Sequence, residues 1–101
     1  MMYVDTEEAP KLVFLARRRK YQDDPWLVLG NRFFQLDPLS DSIVCLCTGT
    51  QTFAEIARKT AEVNTMSLGD SLVAVGLVVA YLQAEGLIEW ASKRGPSESV
   101  Q

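Results

Sequence analysis

The chain is 101 residues long, with 48% hydrophobic and 23% charged residues. That is the composition of one globular domain with a single modest core, and not of a disordered chain. The net charge of −3 argues against a nucleic-acid binder that relies on general phosphate attraction. The chain contains no histidine, so the commonest general base and metal ligand are missing, along with every Ser-His or Cys-His arrangement. No cofactor and no metal are expected, and an enzyme is the least expected class.

The opening "MMYVDTEEAP" is acidic where a signal peptide would be basic and then apolar. A cytoplasmic location is therefore expected, with residues 1–10 a loose lead-in to a domain over 11–90. "KLVFLARRRKY" mixes apolar and basic residues without a helical period and suits a strand or an extended edge. Half of the ten basic residues fall between Lys11 and Lys20, four of them as Arg17, Arg18, Arg19 and Lys20. Such a cluster either attracts an acidic partner or keeps a strand edge soluble. "QDDP" is a turn. "WLVLGNRFFQL" is two short β-prone runs around Gly30-Asn31, a loop that suits a type II′ hairpin. Alternation puts Phe34 and Leu36 on one face of the second run, and Phe33 and Gln35 on the other.

The period then changes. Asp37 is placed as an N-cap with Pro38 at the first helical position. Leu39, Ile43, Leu46 and Cys47 form the inner stripe of a short helix stopped near Gly49. Cys45 and Cys47, two apart, point to different faces; they read as half-buried packing residues, with neither a disulfide nor a shared metal. "TFAE" from Thr52 fits the capping box and opens a second helix with inner face Phe53, Ile56, Ala57, Thr60 and Val63. A third helix runs from about Ser67 to Glu85 and ends at Gly86, with Leu87 packing back. "LIEW" follows as a short strand, and the polar tail 91–101 is expected to be disordered. The whole is an α+β, winged-helix-like pattern: about three N-terminal antiparallel strands followed by three helices.

The third helix carries no charged side chain from Leu72 to Leu82. At ~1.5 Å per residue the run covers about half of a ~30 Å hydrocarbon core, so no membrane span is expected. Placed at ~100° per residue, Leu68, Leu72, Val75, Val79 and Leu82 line one side, with Val78 at its margin. Val73, Leu77, Ala80, Tyr81 and Ala84 line the other. Ala74, Gly76, Ala80 and Ala84 are small enough to let another backbone approach. A small domain cannot cover both sides, so the second stripe is expected to meet a partner.

In order and spacing, Leu36-Asp37, Leu46-Cys47-Thr48-Gly49, Thr52-Phe53-Ala54-Glu55-Ile56 and the ending from Leu82 to Ile88 resemble the PqqD-like family. These are the recognition elements for precursors of ribosomally synthesised, post-translationally modified peptides (RiPPs). The resemblance covers roughly Trp26 to Ile88. Asp37 stands where the family usually has Asn, and no acidic residue occupies Ala74 to Leu77, which leaves the outer stripe more apolar. The resemblance implies a non-catalytic module. The leader of a precursor peptide adds as a strand beside Arg32, Phe33, Phe34, Gln35 and Leu36. It lies in the cleft beneath Val73, Leu77, Ala80, Tyr81 and Ala84. The module then presents its cargo to a peptide-modifying enzyme; the paired Phe33-Phe34 resemble domains of lasso-peptide and other RiPP pathways, with pyrroloquinoline quinone synthesis a further option. Arg17, Arg18, Arg19 and Lys20 are the candidates for electrostatic capture of an acidic leader. Two other readings stay open. One is a self-associating domain, with the second stripe as homodimer interface. The other is a winged-helix regulator, although a helix offering Val, Leu, Ala and Tyr lacks groups that read base edges. Neither nucleic acid nor membrane is an expected partner.

Overall fold

A computed structural model of the chain describes residues 7–92. In chain order the elements are β1 (Glu8–Leu12), β2 (Arg17–Tyr21), β3 (Asp24–Leu29), β4 (Arg32–Gln35), α1 (Pro38–Cys45), α2 (Phe53–Asn64), α3 (Leu68–Ala84) and β5 (Ile88–Ser92). The strands form two small antiparallel sheets, β1-β5 and β2-β3-β4. The fold is α+β with three helices, as expected, but four strands precede them rather than three. The stretch read as a single extended edge is broken by a turn in which the Ala16 amide donates to the Val13 carbonyl, so β1 and β2 join different sheets.

β1 also corrects the lead-in. It begins at Glu8, inside the segment expected to be loose, because it pairs residue for residue with β5 from Glu8↔Ser92 to Leu12↔Ile88. Its other side is held by the α1–α2 connection, where Leu12 donates to Cys47 and Gly49 donates to Pro10. β5 likewise reaches Ser92, inside the segment expected to be disordered; residues 1–6 and 93–101 lie outside the described residues.

The three-stranded sheet is two consecutive hairpins. Gln22 and Asp23 both take positive φ (55° and 71°) in the first turn; in the second only Gly30 does (61°), the type II′ pattern expected. The helices start where the caps place them. Asp37 accepts from the Ser40 amide, Thr52 and Glu55 complete a reciprocal capping box, and Ser67 accepts from the Asp70 amide. α3 ends in the Schellman arrangement: Gly86 (φ 75°) donates to Gln83 while Leu87 donates to Leu82.

The core gathers Leu27 and Leu36 from the sheet, Ile43 and Val44 from α1, Phe53, Ile56 and Ala57 from α2, Val75, Val79 and Leu82 from α3, and Leu87 behind them. Three expected core positions are corrected. Val63 is 71% exposed, Leu68 48% and Leu72 36%. Ser71 takes the inner place instead, because its Oγ donates to the Ala57 carbonyl (2.6 Å) and thereby satisfies a polar group at the α2–α3 contact. Gly76 is not a close-approach site: a Cβ there would meet Phe53 at an ordinary 3.8 Å. No single helix among the described residues is long and apolar enough to cross a membrane; α2 and α3 reach that measure only as a pair, across a bend of 117°.

Candidate functional site

β4 is an edge strand, hydrogen-bonded only to β3 within its sheet. Its register runs Leu29↔Arg32, Val28↔Phe33, Leu27↔Phe34 and Trp26↔Gln35, and the Leu36 amide donates to Pro25. Hydrogen-bonded and non-hydrogen-bonded pairs alternate in an antiparallel ladder. A two-residue loop closes on a bonded pair, so Arg32 and Phe34 turn their amides toward β3. Phe33 and Gln35 turn theirs away from the sheet, where no strand among the described residues receives them. Their side chains lie on the sheet face opposite the helices, whereas Phe34 and Leu36 point inward.

Beside this edge stands α3, running antiparallel to it. Between them lies a cleft of about 240 Å³ lined by Gln35, Leu36, Asp37, Ser40, Leu77, Val78, Tyr81 and Leu82. One end is closed by a chain of contacts. The Phe34 ring meets Tyr81 edge-on (centroids 6.3 Å apart), and the Arg32 guanidinium sits 4.9 Å over the Phe34 centroid. Arg32 then donates to the Glu85 carboxylate at 2.8 Å and to the Glu85 carbonyl at 3.1 Å. At the other end the Asp37 carboxylate accepts from the Ser40 amide at 2.7 Å. That bond holds the carboxyl below its ordinary value and keeps it charged.

The structure thus brings Gln35, Leu36, Leu77 and Tyr81 together around one cleft, with Arg32 and Phe34 at its closed end. Leu77 remains 68% exposed on an otherwise ordered helix. Val73, Ala80 and Ala84 do not line the cleft; Val73 is 64% exposed, farther along the outer side of α3. Val78, Leu82, Asp37, Ser40 and Glu85 complete the site without having been expected there. Val78 stood at the margin of the inner stripe and Asp37 was seen only as a cap; the loop-free passage from β4 into α1 was the available signal for Asp37 and Ser40.

Arg17 to Lys20 form β2, the opposite edge of the same sheet, with β3 between them and β4. At about 5 Å per strand spacing they stand about 10 Å from β4, and they do not line the cleft. Arg18 is already engaged, forking onto Asp41 of α1 at 2.9–3.1 Å. Of the cysteines, Cys45 is exposed and Cys47 buried, which corrects the half-buried reading for both. Burial, with Cys45 nearby, pushes the Cys47 thiol up to about 12, so it stays protonated and packs.

No family model matches the sequence, and no curated protein does. A solved structure does match: the solution NMR structure of the PqqD truncation of Methylobacterium extorquens PqqCD, described as a functional, stand-alone RiPP recognition element. The likeness has a TM-score of 0.74 at 19% identity and covers 86% of this chain and 95% of that one. The chain therefore adopts the PqqD fold.

Proposed function

We propose that this chain is a leader-binding adaptor. The leader of a ribosomal precursor peptide adds as a fourth strand to the β4 edge, sends alternate side chains into the β4–α3 cleft, and is held for a peptide-modifying enzyme. The observation that carries this reading is the pairing of an open strand edge with an apolar cleft. The outward amides of Phe33 and Gln35 supply backbone hydrogen bonds, and Leu77, Val78 and Tyr81 supply burial. The PqqD fold supports it, since the similar protein is described as a stand-alone recognition element. Tethering the leader raises the local concentration of its core peptide at the enzyme, so the module needs no catalytic group of its own.

The pathway in which this adaptor serves, lasso-type, pyrroloquinoline quinone or another RiPP class, follows from the precursor it captures. A winged-helix-like reading would assign α3 to DNA, but the outer side of that helix presents Val73, Leu77 and Tyr81 rather than base-reading groups. Hydrogen exchange tests the adaptor. With a synthetic candidate leader peptide added to the full chain, the Phe33 and Gln35 amides become protected. Protection elsewhere, with these two unchanged, overturns strand addition.

A further inference from the structure

Cross-strand partners share a face, and the register sorts the three-stranded sheet into two. Leu27 and Phe34 face the helices. The other face carries two rows, Arg17–Val28–Phe33 and Arg19–Trp26–Gln35, with Tyr21 at the end of β2. No helix among the described residues covers this face. Trp26 and Val28 are half-buried, yet they neither belong to the core cluster nor pack against it. Tyr21 is 49% and Phe33 56% exposed, and the Tyr21 and Trp26 rings meet edge-on at 6.3 Å. A connected aromatic and aliphatic surface is thus left in water, with a row of cations along one side. Arg17 and Arg19 give guanidinium hydrogen bonds to backbone carbonyls, while the Arg18–Asp41 pair lies on the helix side.

We infer that this outward face is a second docking surface, fitted to an acidic, partly apolar face of a partner protein. Resting on the adaptor reading, that partner is the peptide-modifying enzyme. Charge supports an acidic protein. On this face Arg17 and Arg19 stand beside a single carboxylate, Asp24 at the turn, although the whole chain is net −3. An acidic face is drawn to the cationic row, whereas a phosphate backbone meets a chain that is net negative. A second copy fits poorly. Two-fold pairing of this face sets its cationic row against the same rows, whose only carboxylate is Asp24 at the turn. Continuity supports the enzyme. A strand added at β4 continues the alternation, so every second leader side chain falls on this same face beside Phe33 and Gln35. A protein seated there touches adaptor and leader together.

The test uses the full chain, its Arg17→Glu/Arg19→Glu variant and its Tyr21→Ser variant, each checked by melting. Four probes are titrated: a fluorescent candidate leader peptide, the peptide-modifying enzyme that acts on its precursor, poly(dT), and phosphatidylglycerol vesicles. The double variant is expected to lose enzyme affinity by about tenfold or more, and wild-type enzyme affinity is expected to fall as salt rises. Tyr21→Ser loses a few-fold. Tyr21→Ser leaves leader affinity within about twofold, because it does not touch the cleft; the double variant weakens the leader only through long-range charge, and by less than it weakens the enzyme. Enzyme affinity unchanged in both variants overturns the docking surface. So does wild-type binding of poly(dT) or vesicles that the double variant loses while enzyme binding is untouched, or a wild-type dimer that the variants dissolve. A wild-type chain that binds enzyme through this face but binds no leader overturns the adaptor reading alone.

Discussion

β2 and β4 are the two edges of one sheet, and each exposes a row of backbone groups that a further strand could bond. On β2, counting from the Gln22-Asp23 turn, the outward amides are those of Arg18 and Lys20, and all five residues of the strand are exposed. A strand added there would have to cover cations on both faces, a cost that keeps such edges unpaired. On β4 the outward amides of Phe33 and Gln35 are flanked by Phe34 and by the cleft under α3. Addition there buries apolar surface instead of charge. Backbone geometry is the same at both edges; the flanking side chains decide which one is suited to a further strand.

The strongest way to break this contrast is to place a charge on each side of α3. Val79 is fully buried, so Val79→Asp puts an unpaired carboxylate into the core and should unfold the chain. Leu77 lies two residues away and is 68% exposed. Leu77→Asp should leave the melting temperature nearly unchanged and cost ~2 kcal/mol or more of leader binding, as central contact residues do. Thermal melts and leader titrations on both variants decide it. Equal unfolding would mean that the accepting edge has no cleft beside it.

A matched pair of prolines asks the two edges the same question. Gln35→Pro removes an outward donor on β4, and Lys20→Pro removes one on β2, each without breaking a bond to β3. The first should weaken the leader by about 1 kcal/mol, the usual net value of one hydrogen bond. The second should leave leader affinity unchanged. Loss of affinity at Lys20 rather than Gln35 would move strand addition to the wrong edge.

Much of this arrangement could be read from the sequence because it is local. Asp37-Pro38, the Thr52/Glu55 box and Gly86-Leu87 are satisfied within a turn of their own helix, and each stands where the spacing puts it. Gly30-Asn31 set the hairpin, and the hairpin set the faces of Phe33 and Phe34. What the sequence hid depends on partners far along the chain. Glu8 to Pro10 look like a lead-in until β5, about eighty residues on, returns to pair with them. Ser71 looks polar and Leu72 apolar, so periodicity chose Leu72 for the core; the Ala57 carbonyl chose Ser71. Glu85 entered the site through Arg32, a contact that no local pattern announces.

The smallest effect concerns α1, which is tied toward each edge by one carboxylate: Asp37 at the end of β4 and Asp41 through Arg18 of β2. Asp37 should matter more. Its carboxylate satisfies an amide of the first helical turn, and an N-cap replaced by alanine costs about 1 kcal/mol. Asp41 meets Arg18 in a pair whose arginine is 39% and whose aspartate is 17% exposed, so partial solvation should keep the cost of Asp41→Ala below about 1 kcal/mol. Acid distinguishes the cap further. The Asp37 pKa is lowered in the folded chain by the Ser40 bond, so its charged-state contribution is fully present above the ordinary value of 3.8 and is lost as pH falls through the lower folded value. Urea melts of wild type and Asp37→Ala should therefore differ near neutrality and converge toward about pH 2. A gap that persists unchanged in acid would mean that the carboxylate is not what holds the cap. The passage from β4 into α1 would then have to be fixed by Pro38 and the burial of Leu36 alone.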